Sequence, residues 1–425
     1  MLEGALPRAA WHRKVTSDST QHHTLKCRSS PATCQLDRGA PPRLDYMSRL
    51  RGGPDSVPLL LLAPMENLAD RPFRRAHVEC LGGFDEACME FIRIPSTCLR
   101  PAAAVRGVCA GYDAWELAAA GLPLAAQVMG SSPPLLALAA QHLALDKAAP
   151  RVDLNCGCPA NTVTGHGAGS SLLRSPQLVH DCVRAMVEAA GQHCTVSVKM
   201  RSGFTDTSLF AENLLAAQEA GAAFITLHAR TKVQKYEGRA DWALIARARQ
   251  LLHIPVVGNG DVVSVRAARE LLQQTGCQGL MVGRGAVQDP LLFLRLRDSL
   301  RPGAAEQQAG QQRWDEPQLV QAFLRRYAAE ACPPRLEVLA ESGHHVRERG
   351  RLGSLKKVIK YLFSTNEALA ERCGPLLRMQ AGDGDTAETL LEIACETIAR
   401  YWSTQGPTRY VMVNHMAKPA MSSAV

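Results

Sequence analysis

From residue 59 onward the chain repeats one unit eight times: a short apolar run followed by a helix-like stretch. The runs are Leu59–Met65, Glu86–Phe91, Leu124–Met129, Val152–Asn155, Thr195–Met200, Phe224–His228, Pro255–Gly258 and Gly279–Val282. They are rich in Val, Leu and Ile, as strands buried on both faces of a parallel sheet are. Between them lie segments such as Pro134–Leu145, Pro176–Ala190, Ser208–Ala220 and Val265–Gln274. Eight βα units in roughly 230 residues predict an α/β fold, a (β/α)8 TIM barrel. A doubly wound sheet is the alternative, but no GxGxxG follows the first run.

The barrel is expected over residues 57–300 of the 425. Residues 1–56 are Ser-, Thr-, Pro-, Arg- and His-rich without apolar periodicity, and are expected to form an unstructured extension. They read as an organelle transit peptide or, by preference, as the result of a start displaced from Met47. A polar linker, 301–313, leads to a helical domain, 314–404, with Pro317–Ala331, Ser354–Phe363 and Thr386–Trp402 as main helices and 405–425 as a tail. The longest apolar run, Val57–Met65, is too short to cross a bilayer, so no membrane partner is expected. Fourteen cysteines without a CxxC pair point to reduced thiols in the cytoplasm and to no metal site. A monomer is expected.

Charge is unevenly placed. Of the net +8, residues 1–50 hold +4 and residues 347–360 hold +5, which leaves the central body close to neutral. A neutral body with one basic region suits a polyanionic partner docked there. In that region Leu355, Val358, Ile359, Leu362 and Phe363 recur at helical spacing, with Ser354 as the expected N-cap. Lys356, Lys357 and Lys360 form a cationic ridge, preceded by Arg347, Arg349 and Arg351, that fits phosphate contact.

The unusual polar and glycine-rich motifs all fall where runs end, which is where barrel enzymes build their sites. The fourth run ends Asn155-Cys156-Gly157-Cys158-Pro159 and continues into the Gly165–Gly169 loop. Gly157 permits a tight turn and Pro159 stiffens the exit, so Cys158 is held above the barrel mouth rather than buried as a structural thiol. Lys199 sits inside the fifth run, where an unpartnered ammonium is costly; a negatively charged flavin edge would supply a partner. His228 at the end of the sixth run reads as a ligand-facing residue. The seventh and eighth runs end Asn259-Gly260-Asp261 and Gly283-Arg284-Gly285. Barrels commonly bind phosphate with these two loops, and Arg284 can pair it.

Together these residues resemble the tRNA-dihydrouridine synthase family. Ala63-Pro64-Met65, Glu90-Phe91, Gln127 and His228-Ala229-Arg230-Thr231 join the signature, in the right order, from about residue 59 to 365. Within the family the chain is most similar to the bacterial C type, through Val196-Ser197-Val198-Lys199, Arg230-Thr231-Lys232 with Tyr236, and Asp241-Trp242. It departs at Ala160-Asn161 and at His166. The resemblance implies FMN, NADPH and tRNA, and reduction of a D-loop uridine, position 16, to dihydrouridine. It implies that Cys158 is the catalytic acid and that Ala63, Pro64, Met65, Gln127, Lys199, His228, Asn259, Gly260, Asp261, Gly283 and Arg284 surround FMN. Glu90, Asn155 and Arg230 are then expected to face substrate, and Arg347, Arg349, Lys356, Lys357 and Lys360 to face tRNA. One rival is an FMN barrel oxidoreductase acting on a small molecule, similar to a dihydroorotate dehydrogenase, which has no need of a cationic helix. Another is a non-catalytic RNA-binding barrel, which has no need of Cys158, Lys199 and both phosphate loops together.

Overall fold

The computed structural model describes residues 39–52, 56–159, 167–301, 314–333, 348–364, 366–381 and 385–402. Among these residues nine strands run in chain order: β1 (Leu59–Leu62), β2 (Glu86–Cys88), β3 (Ile92–Arg93), β4 (Leu124–Met129), β5 (Arg151–Cys156), β6 (Thr195–Gly203), β7 (Ile225–Thr231), β8 (Val256–Asn259) and β9 (Gly279–Val282). All pair in parallel; β1 joins β9, and β2 pairs with β4 as well as β1, so the sheet closes on itself. β2 and β3 are two pieces of one barrel position. Both pair with β4, but the register slips by one residue between Cys88↔Ala125 and Ile92↔Val128. The extra residue breaks the expected run Glu86–Phe91 and throws Glu90 and Phe91 out of the ladder. The eight-unit barrel is therefore as the apolar runs require. Its strands are fully buried apart from Thr195 and Lys199 of β6 and Arg93 of β3, and their Leu and Val side chains make up the core.

The floor holds a correction. Residues read as part of an unstructured extension include α1 (Tyr46–Leu50), capped by Asp45, whose carboxylate accepts from Ser48 N at 2.9 Å. Tyr46 and Leu50 pack on Leu59, Leu61, Phe224, Val257 and Met281. Two apolar residues four apart are too few to show a period, yet they suffice to stopper the N-terminal end of the barrel.

After α2 (Arg71–Cys80), α3 (Pro101–Cys109), α4 (Pro133–Gln141), α5 (Pro176–Ala190), α6 (Phe210–Glu219), α7 (Trp242–Leu251) and α8 (Val265–Thr275), the chain makes α9 (Gly285–Gln288) and α10 (Leu292–Ser299). Among the described residues the tail helices are α11 (Glu316–Ala331), α12 (Glu348–Leu362), α13 (Glu367–Arg378) and α14 (Ala387–Tyr401). α11 leans on α2, with Phe323 edge-on to Phe73 at 5.5 Å and Arg75 paired to Glu330 at 3.2 Å. α12 packs against α9, which brings it to the barrel mouth. Ser354 is not a cap: it lies inside α12, with its hydroxyl on the Gly350 carbonyl at 3.2 Å. Gly350 and Gly353 lower helix propensity there and disguise the true start. Among the described residues no helix is long and apolar enough to cross a membrane.

Candidate active site

At the C-terminal ends of β1, β6, β7, β8 and β9 lies a recess of about 100 Å³. Ten residues expected around a cofactor line it: Ala63, Pro64, Met65, Lys199, His228, Asn259, Gly260, Asp261, Gly283 and Arg284. It shares Pro64, Met65, Lys199, His228, Tyr236 and Arg284 with a cavity of about 530 Å³ that extends to Asn155, Cys158 and Arg201 and, on α12, to Lys357, Lys360 and Tyr361.

The glycines at the recess answer to contact. Gly260 has φ +114°, and a Cβ there would lie 2.9 Å from Ala240 Cβ and 3.0 Å from His228 Cδ2. A Cβ on Gly285 would sit 2.2 Å from the Val262 carbonyl oxygen. Only glycine lets the loops after β8 and β9 press together here and leave their backbone open to a ligand.

Cations dominate this mouth. Burial, then Arg201, Lys199, Arg230 and Arg284 in turn, hold His228 well below the usual imidazole range, so its ring is neutral. Burial and Arg201 pull the Lys199 ammonium down to about 8, and it donates to Asn259 Oδ1 at 3.3 Å. Arg284 lies over the Tyr236 ring at 4.0 Å and Arg201 at 5.4 Å. A crowd of cations answered by so few acids is suited to an anion with a flat polar ring. Among the described residues no cluster of His, Cys, Asp and Glu could hold a metal ion.

Cys158 stands half-buried at the edge of the larger cavity. Asn155 Oδ1 accepts from Gly157 N at 2.9 Å and Cys158 N at 2.8 Å, which fastens the turn to the strand end. Cys156, two residues earlier, is fully buried, and its burial pushes the thiol far above the ordinary range. The two cysteines thus divide: one packs the core and one faces the cavity.

Several expected contacts sit elsewhere. Gln127 is fully buried and lines neither space; its side chain lies between Asp153 and Asn155. Asn155 borders the cavity but spends its side chain on Gln127 and the Cys158 turn. Glu90 accepts from Asn67 N at 2.7 Å and so braces the turn after β1. Arg230 is fully buried, bonded to Asp261 Oδ2 and the Gly238 carbonyl, each at 2.7 Å. These bonds tie it to the loop after β8 through Asp261. The cationic ridge also divides: Lys357 and Lys360 are exposed and line the cavity, whereas Lys356 donates to the Met379 carbonyl. Arg351 is buried, paired with Glu348 and Glu388. Arg349 is exposed but lines neither space, and Arg347 lies outside the described residues.

Two residues given no site role by the sequence reading line the larger cavity. Arg201, 3% exposed, donates to the carbonyls of Gly157 (2.9 Å), Thr231 (2.9 Å) and Lys235 (2.8 Å), and so ties the Cys158 turn to the loop after β7. The cost of burying charge, which singles out Lys199, would have found it two residues on. Tyr236 lines both spaces; in the sequence it stood out only through the likeness to the C type.

A family model described as dihydrouridine synthase matches residues 61–332. A tRNA-dihydrouridine(16) synthase of Cupriavidus necator is 35% identical over 334 residues, covering 78% of this chain and 96% of its own. Proteins of the same name from Ralstonia nicotianae and Escherichia coli O157:H7 are 39% and 34% identical, over 58% and 70% of this chain and 76% and 89% of their own. Among solved structures, an old yellow enzyme homologue from Zymomonas mobilis aligns over 57% of this chain and 88% of its own at 12% identity and a TM-score of 0.39, too slight a likeness to carry weight.

Proposed function

Because this chain belongs to the dihydrouridine synthase family, we propose that it reduces one uridine of the tRNA D-loop, at position 16, to 5,6-dihydrouridine, with FMN as resident cofactor and NADPH as reductant. The observation that carries this reading is a single cavity where a half-buried thiol, a cation-rich recess and two lysines of the tail helix meet. The donor set suits FMN. Its phosphate would take Arg284 and the N–H groups of the loops after β8 and β9, and Lys199, His228 and Asn259 would meet the polar edge of the ring. When bound and reduced, FMN supplies a hydride to uracil C6.

The chain's own residues do the rest. The Cys158 thiol gives its proton to C5, so the C5=C6 double bond is replaced by two C–H bonds and the thiolate recovers a proton from solvent. Asn155 and Arg201 hold the turn that carries this thiol. A base stacked inside folded RNA cannot present its ring face, so the uridine has to be extruded into the cavity. Lys357 and Lys360 at the cavity's edge would take the phosphates flanking it. Neutral His228 offers a hydrogen bond without adding charge. Twelve free cysteines among the described residues suit a reducing compartment that holds tRNA, the cytoplasm.

The test pairs composition with turnover. Purified protein should release FMN on denaturation, and a deletion strain should lack dihydrouridine at one D-loop position. Cys158→Ala should keep its flavin and its NADPH oxidation while single-turnover reduction of tRNA falls by about 10²–10⁴-fold. Unchanged tRNA reduction in Cys158→Ala would overturn the role given to the thiol.

A further inference from the structure

We propose that Asp153 is a positioning residue for the Cys158 turn and acts through a hydrogen-bond relay whose direction is set at both ends. Asp153 Oδ2 accepts from Gln127 Nε2 at 2.7 Å. Gln127 Oε1 accepts from Asn155 Nδ2 at 2.8 Å. Asn155 Oδ1 accepts from the N–H groups of Gly157 and Cys158. Asp153 and Gln127 are fully buried and Asn155 is 7% exposed, so bulk water is not at hand to take a missing partner's place.

Each amide in this line could in principle be turned over, since its oxygen and nitrogen occupy nearly the same volume. The two ends forbid it. An ionised carboxylate can only accept, and backbone N–H groups can only donate. Between an acceptor at one end and donors at the other, two amides have a single consistent orientation: nitrogen toward Asp153, oxygen toward Cys158. Arg151 and Ser197 keep the first end in place, the guanidinium donating to Asp153 Oδ1 at 3.0 Å and the hydroxyl at 2.5 Å. Arg151 is shared with Glu86, which Tyr46 of α1 caps from the floor. The strand interior thus carries orientation from the stoppered end of the barrel to the turn bearing the thiol. Its link to proton delivery rests on the dihydrouridine synthase reading; its link to the turn rests on the geometry alone.

Asp153→Asn tests this with almost no change of shape. Facing the donors Arg151 and Ser197, the new amide places its oxygen toward them and its nitrogen toward Gln127. Gln127 must then turn over, Asn155 after it, and Asn155 Nδ2 ends opposite two N–H groups that have lost their acceptor. Hydrogen exchange of the Gly157 and Cys158 amides, followed in the purified chain, should quicken by roughly tenfold or more. Single-turnover tRNA reduction by pre-reduced enzyme should fall by a similar factor, with FMN content unchanged.

The double variant Asp153→Asn/Gln127→Glu moves the acceptor-only group one step along. The Glu carboxylate accepts from Asn at 153 and from Asn155 Nδ2, which aims Asn155 Oδ1 at Cys158 again. It should recover the parent's exchange protection and most of its turnover. If Asp153→Asn does not fold, Gln127→Met cuts the same line in its place and should loosen the same two amides. Exchange that stays at the parent rate in Asp153→Asn, or in Gln127→Met, overturns the relay, as does a double variant no better protected than the single one. A parent enzyme that fails to reduce tRNA refutes the functional reading instead, and amide exchange still judges the relay.

Discussion

At the floor of the barrel buried charge is answered within the protein; at the mouth it is left open. Arg151 is fully buried between Glu86 and Asp153, with Tyr46 and Ser197 closing the remaining valences of those carboxylates. The mouth holds Lys199, Arg201, Arg230 and Arg284 around a neutral histidine. There Arg230 has Asp261, while Lys199 has an amide, Arg201 has carbonyls and Arg284 lies on an aromatic ring. A charge network that closes on itself serves the fold, whereas one short of anions is prepared for something that arrives later.

That contrast is broken most severely at Arg151. Arg151→Met leaves Glu86 and Asp153 as buried carboxylates without a cation, which should cost about 3–5 kcal/mol of stability in urea denaturation. Added FMN should not restore the part lost at the floor. A loss under about 1 kcal/mol would mean the floor tolerates imbalance as the mouth does, and the distinction would collapse. Arg284→Ala should do the reverse: FMN affinity weaker by about 1.5–3 kcal/mol, the range for hydrogen bonds to a charged group, with the apoprotein's stability little changed. Equal flavin affinity in titrations of parent and variant would remove Arg284 from the site.

The same contrast explains what could be read in advance. Eight strands were legible because burial on both faces leaves near-continuous apolar runs, and the glycine-rich ends of the last two stood out against them. Cys158 was legible because Gly157 and Pro159 flank it. The floor was not: Tyr46 and Glu86 are forty residues apart, and neither side chain signals a partner until the barrel closes. The protein groups that Glu90, Arg230 and Gln127 hold were hidden for a related reason. A motif names residues that gather at a site but not which of them meet the ligand and which hold the others. Tail helix α12 was half legible; its apolar seam showed, but only tertiary contact separates Lys356, turned to the Met379 carbonyl, from Lys357 and Lys360 at the cavity.

That separation sharpens the account of the mouth. Lys357→Ala/Lys360→Ala should flatten the salt dependence of tRNA affinity by about 1.4 log units per log unit of salt, taking a coefficient near 0.7 for each contact. FMN content should not change. Lys356→Ala should leave the slope where it is. If the Lys356 variant flattens it as much as either of the others, the helix offers a general basic face and the cavity-lining pair has no special part.

The smallest effect expected is in the pH dependence of Lys199, and it tests the open mouth without altering its shape. In the folded apoprotein this ammonium titrates near 8, against 10.5 for an ordinary lysine, because burial and then Arg201 oppose its charge. The folded pKa is therefore depressed, and the unfolded chain holds the proton more tightly. This group detracts from stability below pH 8, and the penalty fades as pH rises from 8 toward 10.5. Affinity for an anionic cofactor runs the other way. Once bound, the anion favours the charged lysine, so each pH unit above 8 costs the apoprotein up to about tenfold, or 1.36 kcal/mol, in FMN affinity until the raised pKa of the complex is reached. Titration of apoprotein with FMN between pH 7 and 9.5, beside urea denaturation at the same pH values, should give slopes of opposite sign. Lys199→Met, subtracted as a reference, should remove both. Parallel slopes in the parent would mean that Lys199 is answered inside the protein as Arg151 is, and the recess would lose a charge meant for a ligand.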